Sequence, residues 1–301
     1  MRWPLLVVAL ASIAFDSAYA TEPPAWIAAK GGFVSDDMNV FGIDSPAAGS
    51  LAFVSLASTG VSDSDLRQLA TLGTFYGLSL ADTHVGDAGL IYVADLKTLR
   101  DLNVDYTAVT DAGMPTLGKL GDLRALSLIH TKLTDAAFGG LMPLNRLRSL
   151  YLDQTGITGA GSGFTWRHWP VLENLSLSDT PVGDAGLAGL RDLTNLKRLT
   201  LSGTKLTDAG LIQIGSVAGL QTLRLDRTAV TGAGLKSIAT LSHLEILTLD
   251  DTRLGQGAES VLARMRSLKL LTLVNASLLP GTIERLRRAL PGCEIRGTDS
   301  R

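Results

Sequence analysis

The chain has 301 residues, of which 54 are leucine, 32 glycine, 16 aromatic and one cysteine. Apolar residues make up 46% and charged residues 19%, which excludes intrinsic disorder, and a single cysteine excludes an internal disulfide or a cysteine-built zinc or iron–sulfur site. The net charge of −2 gives no bulk attraction toward nucleic acid.

Residues 1–20 have the form of a signal peptide. Met1 and Arg2 are followed by an apolar run from Leu5 to Phe15, and Ala18-Tyr19-Ala20 places small residues at −3 and −1 of a cleavage site before Thr21. The run falls short of the ~20 apolar residues that span a bilayer, no cysteine follows it to carry a lipid, and no twin arginine precedes it. The expectation is an exported protein, periplasmic or secreted, with no membrane span after signal cleavage. Residues 21–50 read as an N-terminal cap, with a short amphipathic helix at Ala25-Trp26-Ile27 and a strand at Gly32-Phe33-Val34.

From residue 51 to 275 the chain repeats. Threonine recurs at Thr59, Thr83, Thr107, Thr131, Thr155, Thr180, Thr204, Thr228 and Thr252, and a further step reaches Ala276. Eight, five and three positions before each threonine stand leucine-type residues, as in Leu99, Leu102 and Val104 before Thr107. This spacing predicts about ten repeats of 24 residues, each opening on a short strand with alternating side chains. Behind the threonine comes an apolar residue two positions on, then a cap-like run such as Thr110-Asp111-Ala112-Gly113 or Thr207-Asp208-Ala209-Gly210. Apolar residues three apart, as in Leu187, Leu190 and Leu193, predict a short helix to close each repeat. One repeat carries an extra residue and reads Gly161-Ser162-Gly163-Phe164-Thr165-Trp166-Arg167-His168-Trp169. Counted back from Thr180, Trp166 and Trp169 fall at core-leucine positions, so they read as core. Residues 276–301 read as a C-terminal cap, with Ile283, Leu286 and Leu290 on a last helix, a break at Pro291-Gly292 and a closing strand at Cys293-Glu294-Ile295.

The pattern Leu-x-x-Leu-x-Leu-x-x-Thr-x-Val-Thr-Asp-Ala-Gly-Leu resembles leucine-rich repeats of the F-box/LRR, cysteine-containing subclass. Here threonine replaces the usual cysteine and the period is shorter; the unit is also similar to that of bacterial exported leucine-rich-repeat proteins. The resemblance implies an α/β leucine-rich-repeat solenoid, a right-handed horseshoe with parallel strands on its concave face and short helices on its convex face. It also implies protein binding without chemistry.

Positions six, four, two and one before each threonine are expected to point into the concavity and to bear no core duty. They place Asp101, Asn103, Asp105, Tyr106, His130, Tyr151, Asp153 and Gln154 over the first half of the groove as an acidic patch with two tyrosines and a histidine. Arg198, Arg224 and Arg227 form a basic segment beyond it. Aromatic and arginine side chains anchor protein interfaces, so these eleven residues are the expected partner-binding set. The threonine column itself is expected to bond loop carbonyls between adjacent coils.

No catalytic or metal constellation is expected. The four histidines stand several repeats apart, and neither Gly-x-Ser-x-Gly nor a P-loop occurs. Cys293 reads as a structural thiol. The expected molecule is a monomeric, non-catalytic module that needs no cofactor, binds no nucleic acid and holds a protein or peptide. The alternatives are an F-box/LRR-like substrate-recognition subunit of a ubiquitin ligase, for which residues 21–50 are too short, and a structural spacer. A carbohydrate binder would want more exposed aromatics.

Overall fold

A computed structural model describes residues 20–35, 51–161 and 165–297. The expected signal sequence, apart from Ala20, lies outside the described residues. The chain forms two compact units, residues 1–151 and 152–301.

The first unit begins with β1 (Ala20–Thr21) and β2 (Phe33–Ser35), paired antiparallel, with the helix Ala25–Ala29 between them. β2 lies antiparallel to β3 (Leu51–Ser55). From β3 onward every step is parallel: β4 (Phe75–Ser79), β5 (Asp101–Asn103), β6 (Ala125–Ser127) and β7 (Ser149–Tyr151). The second unit carries β8 (Asn174–Ser176), β9 (Arg198–Thr200), β10 (Thr222–Arg224), β11 (Ile246–Thr248), β12 (Leu270–Leu273) and β13 (Glu294–Gly297), all parallel and in sequence order. Its last two strands are separated by the helix Thr282–Ala289.

The 24-residue period sets the register. Leu102 pairs with Leu126 and Leu126 with Leu150; Leu199, Leu223, Leu247 and Leu271 form the same ladder in the second unit. The residues at −8, −5 and −3, such as Leu99, Leu102, Val104, Leu220, Leu223 and Leu225, are fully buried. No coil buries its own leucines, and stacking closes the core. Trp166 and Trp169 are likewise buried, their rings 6.2 Å apart, and the Trp166 indole N–H donates to the Gly186 carbonyl.

The return arms depart from regular helix. Asp184–Leu187, Leu190–Asp192 and Gly234–Ser237 are 3₁₀ turns, and the α-helical arms between repeats, such as Asp208–Ile214, run to seven residues at most. A coil of 24 residues leaves too little chain for three turns of α-helix, and apolar residues exactly three apart match the tighter 3₁₀ period.

Two polar devices recur from coil to coil, and the first fastens one coil to the next. In the first, the aspartate of Asp-Ala-Gly accepts both the N–H and the hydroxyl of the threonine that opens the next arm. Asp87 takes Thr110, Asp111 takes Thr134, Asp184 takes Thr207 and Asp208 takes Thr231, at 2.6–2.9 Å. The same threonine oxygen accepts the N–H two residues on, the helix-capping role expected of it. The glycine three residues further along is small because this carboxylate approaches it: a methyl on Gly234 would lie 2.2 Å from Asp208 Oδ1. Asp208→Ala removes both acceptors and should cost about 1–3 kcal/mol, read as a lower urea midpoint. Asp208→Glu should not rescue it, since one methylene displaces the fork.

The second device is the threonine column, and it corrects the expectation. All nine threonines from Thr59 to Thr252 donate to the carbonyl three residues earlier in their own coil, at 2.6–2.7 Å, rather than to a neighbouring coil. The bond closes a tight turn. The residue just before each threonine is forced into the left-handed region, with φ of 54–56° at Ser58, Asp82, Tyr106, His130, Gln154, Asp179, Arg227 and Asp251.

Candidate functional site

This turn geometry redraws the expected binding surface. The strands end at position −4, so Tyr106, His130, Gln154 and Arg227 stand on the turn rim rather than on the strands. All four are exposed. In the first unit, the Tyr106 ring stacks on His130 with centroids 4.8 Å apart and planes at 27°. Tyr151, at the end of β7, is half-buried.

Three members of the set serve the fold, Asn103 and Asp105 in the first unit and Asp153 in the second, contrary to the expectation that these positions bear no core duty. Asn103 and Asp105 are 5% exposed. The Asn103 side-chain oxygen accepts the Asp105 N–H at 2.8 Å. Asp105 Oδ1 accepts the Ser127 hydroxyl at 2.6 Å and the Ile129 N–H at 2.7 Å, both on the next coil. In the second unit Asp153 does the same with the Ser176 hydroxyl and the Ser178 N–H, and burial raises its pKa against those bonds. Asp226 repeats the arrangement with Thr248 and Asp250. The signal was present in the sequence: an aspartate at −2 followed 22 or 23 residues later by serine or threonine at −4 of the next repeat. It was read as surface acidity because a single strand shows no partner for it.

The remaining members divide by unit. Asp101, on β5, is mostly shielded from water, and burial pushes its carboxyl up to about 7 against the attraction of Arg124 and Arg100. In the second unit, Arg198 donates to the Asn174 side chain at 2.9 Å, and Arg224 is exposed. Arg227 pairs with Asp179 at 2.7 Å although two coils separate them, and that bond raises the guanidinium pKa. The bridge passes over Gly203, where a methyl would stand 2.0 Å from Asp179 Oδ1. The basic segment is therefore partly neutralised.

Cys293 is half-buried; its thiol donates to the Glu294 carbonyl and burial raises its pKa, the reverse of what a nucleophile needs. Among the described residues no group of three histidine, cysteine, aspartate or glutamate side chains is placed to hold a metal ion. No described helix is long and apolar enough to cross a membrane.

Comparison with known proteins agrees with the repeat. A family model described as "Leucine Rich repeat" matches residues 192–215, one full period. No curated protein gives a significant match. Among solved structures, an internalin (inlF) from Listeria monocytogenes is similar at TM-score 0.55 and 19% identity, covering 82% of each chain. Internalin C2 of the same species is similar at TM-score 0.54 and 21% identity, covering 84% of this chain and 90% of the other. A leucine-rich-repeat protein of Leptospira interrogans is similar at TM-score 0.55 and 20% identity, over 77% of this chain and 62% of the other. Register, burial and these likenesses together show a leucine-rich-repeat fold of α/β class.

Proposed function

We propose that this chain is an exported, non-catalytic binding module that holds a protein or peptide on its strand-bearing side, with Tyr106 and His130 at the centre of the contact in the first unit. The observation that carries this reading is the stacked pair on the turn rim. Left-handed backbone favours glycine, asparagine and aspartate, and it costs a bulky residue on the order of 1 kcal/mol or more. The same rim position is Asp82, Asp179, Gly203, Asp251 and Asn275 elsewhere, so the fold does not require an aromatic there. Two adjacent rings, with Tyr106 51% exposed, accept that cost without contributing to the core. An exposed aromatic pair beside polar groups has the character of an interface anchor.

Tyr151 and Asp101 extend this surface within the first unit. In the second, Gln154, Arg198, Arg224 and Arg227 are the corresponding contacts, whereas Asp105 and Asp153 act by tying adjacent coils and Asn103 by accepting the Asp105 N–H within its own coil. Export rests on the leader-like residues 1–20. The test is capture from the native envelope by wild type and by a Tyr106→Ala/His130→Ala variant. The double variant should fold with an unchanged melting temperature and lose its partner at least tenfold. Undiminished capture by the folded double variant would move the contact off this rim.

A further inference from the structure

The residue seven before the threonine, just ahead of most strands, forms a column of its own. In the second unit it reads Glu173, Lys197, Gln221, Glu245 and Lys269, and its charges pair: Lys197 with Glu173 at 2.8 Å and Lys269 with Glu245 at 2.7 Å. In the first unit the column reads Tyr76, Arg100, Arg124, Arg148. The backbone fixes these arginines in neighbouring coils, because the Arg100 carbonyl accepts the Arg124 N–H at 2.6 Å and the Arg124 carbonyl accepts the Arg148 N–H at 2.7 Å. Strands so paired lie about 4.8 Å apart, well inside the Debye length of about 8 Å. Like charges held that close repel, and partial burial together with its two arginine neighbours lowers the Arg124 pKa. Arg100 lies over the Tyr76 ring, 5.0 Å from its centroid. Among the described residues neither Arg100 nor Arg124 has a carboxylate within ion-pair distance.

We propose that Arg100 and Arg124 form a docking strip for an acidic segment of a protein partner, an extended peptide presenting carboxylates at alternate residues. This rests on the reading of the chain as a protein-binding module and names the chemistry of what it holds. Alternate side chains of an extended strand recur about every 6.8 Å, a distance that flexible arginine stems spaced at 4.8 Å reach from neighbouring coils. The planar guanidinium fork matches a carboxylate in two hydrogen bonds, and an arriving anion relieves the repulsion already present. Two arginines on a chain of net charge −2 are too few for a nucleic-acid track, which neutralises some six to ten phosphates. The Tyr76 ring beside Arg100 supplies an apolar edge of the kind peptide interfaces use.

The experiment is fluorescence anisotropy of the full chain with a fluorescein-labelled (Glu-Ser)₅ peptide, its (Gln-Ser)₅ counterpart and a ten-nucleotide single-stranded DNA. The glutamate peptide should bind, the glutamine peptide should bind at least tenfold more weakly, and the affinity should fall between 50 and 300 mM NaCl. Arg100→Glu and Arg124→Glu should each cost tenfold or more, and Arg124→Gln, which keeps the stem and serves should the glutamate variant fail to fold, about threefold. Lys269→Gln, in the paired part of the column in the second unit, should leave the peptide affinity unchanged; envelope capture by the Tyr106→Ala/His130→Ala variant and peptide binding by the arginine variants are read in separate assays, so either can fail without the other. Equal binding of both peptides, or no effect of any arginine substitution, would overturn the strip, as would DNA binding tighter than the glutamate peptide.

Discussion

Reversing the charge at Asp105 is expected to destabilise the first unit strongly rather than to isolate a binding defect. The carboxylate is buried and satisfies two donors of the next coil, the Ser127 hydroxyl and the Ile129 N–H. Asp105→Lys leaves both donors without an acceptor and inserts a cation at a buried position, which costs about 3–5 kcal/mol. Asp105→Ala, which only orphans the donors, should cost about 2–3 kcal/mol, and Asp105→Asn, which keeps one acceptor oxygen, about 1 kcal/mol. A whole domain is stable by roughly 5–15 kcal/mol, so the lysine variant should show a strongly lowered urea midpoint and fast amide exchange at Ile129. The ordering Lys, Ala, Asn is the check. A lysine variant as stable as wild type would mean that the Asp105 carboxylate does not hold the coils together. The same reasoning extends to Asp226 in the second unit, whose acceptors serve Ser202, Thr248 and Asp250.

That result also bears on what a sequence of this kind discloses. The leucine positions, the period and the strand register are legible because a one-dimensional repeat writes its three-dimensional neighbours at a fixed offset: Leu102 meets Leu126 because they are 24 apart. Trp166 and Trp169 were placed correctly by the same count. What the period does not disclose is which way a polar side chain turns. Asp105 and Tyr106 are adjacent, and positions −2 and −1 are both expected to face the concavity. Yet one is buried under the next coil while the other stands on a left-handed turn in water. The turn was missed because threonine closes it with a bond to its own coil, and a strand-like alternation counted through position −1 runs past the true strand end at −4. The arginine column was missed for a related reason. Position −7 lies between two leucine landmarks and looks like spacer until Glu173–Lys197 and Glu245–Lys269 show that its residues meet across coils.

Asp101 supplies the second large effect, and its sign is opposite to that of an ordinary salt-bridged aspartate. Burial raises its folded pKa to about 7 from a reference of 3.8, and the attraction of Arg124 and Arg100 does not offset this. Between these two values the folded chain holds a proton that the unfolded chain has released. Stability therefore falls as pH rises from about 4 to 7, and levels off above 7, where both states are ionised. At 1.36 kcal/mol per pKa unit the full loss is on the order of 4 kcal/mol. Asp101→Asn has no proton to release. It should match wild type near pH 4, and exceed it by about 2–4 kcal/mol at pH 8, a difference that cancels the histidines common to both proteins. Asp65, in the same unit, has its pKa lowered by the Ser62 N–H and by Lys30, so its contribution is complete above pH 4 and adds no slope in this window. Urea midpoints measured at pH 4, 5, 6, 7 and 8 decide the matter: parallel profiles for the two proteins would show that Asp101 ionises freely beside its arginines. A profile that flattens only in the asparagine variant would show that a carboxylate the binding face could have presented as charge is kept largely neutral through weakly acidic pH. Arg124 and Arg100 beside it then receive less compensation from Asp101.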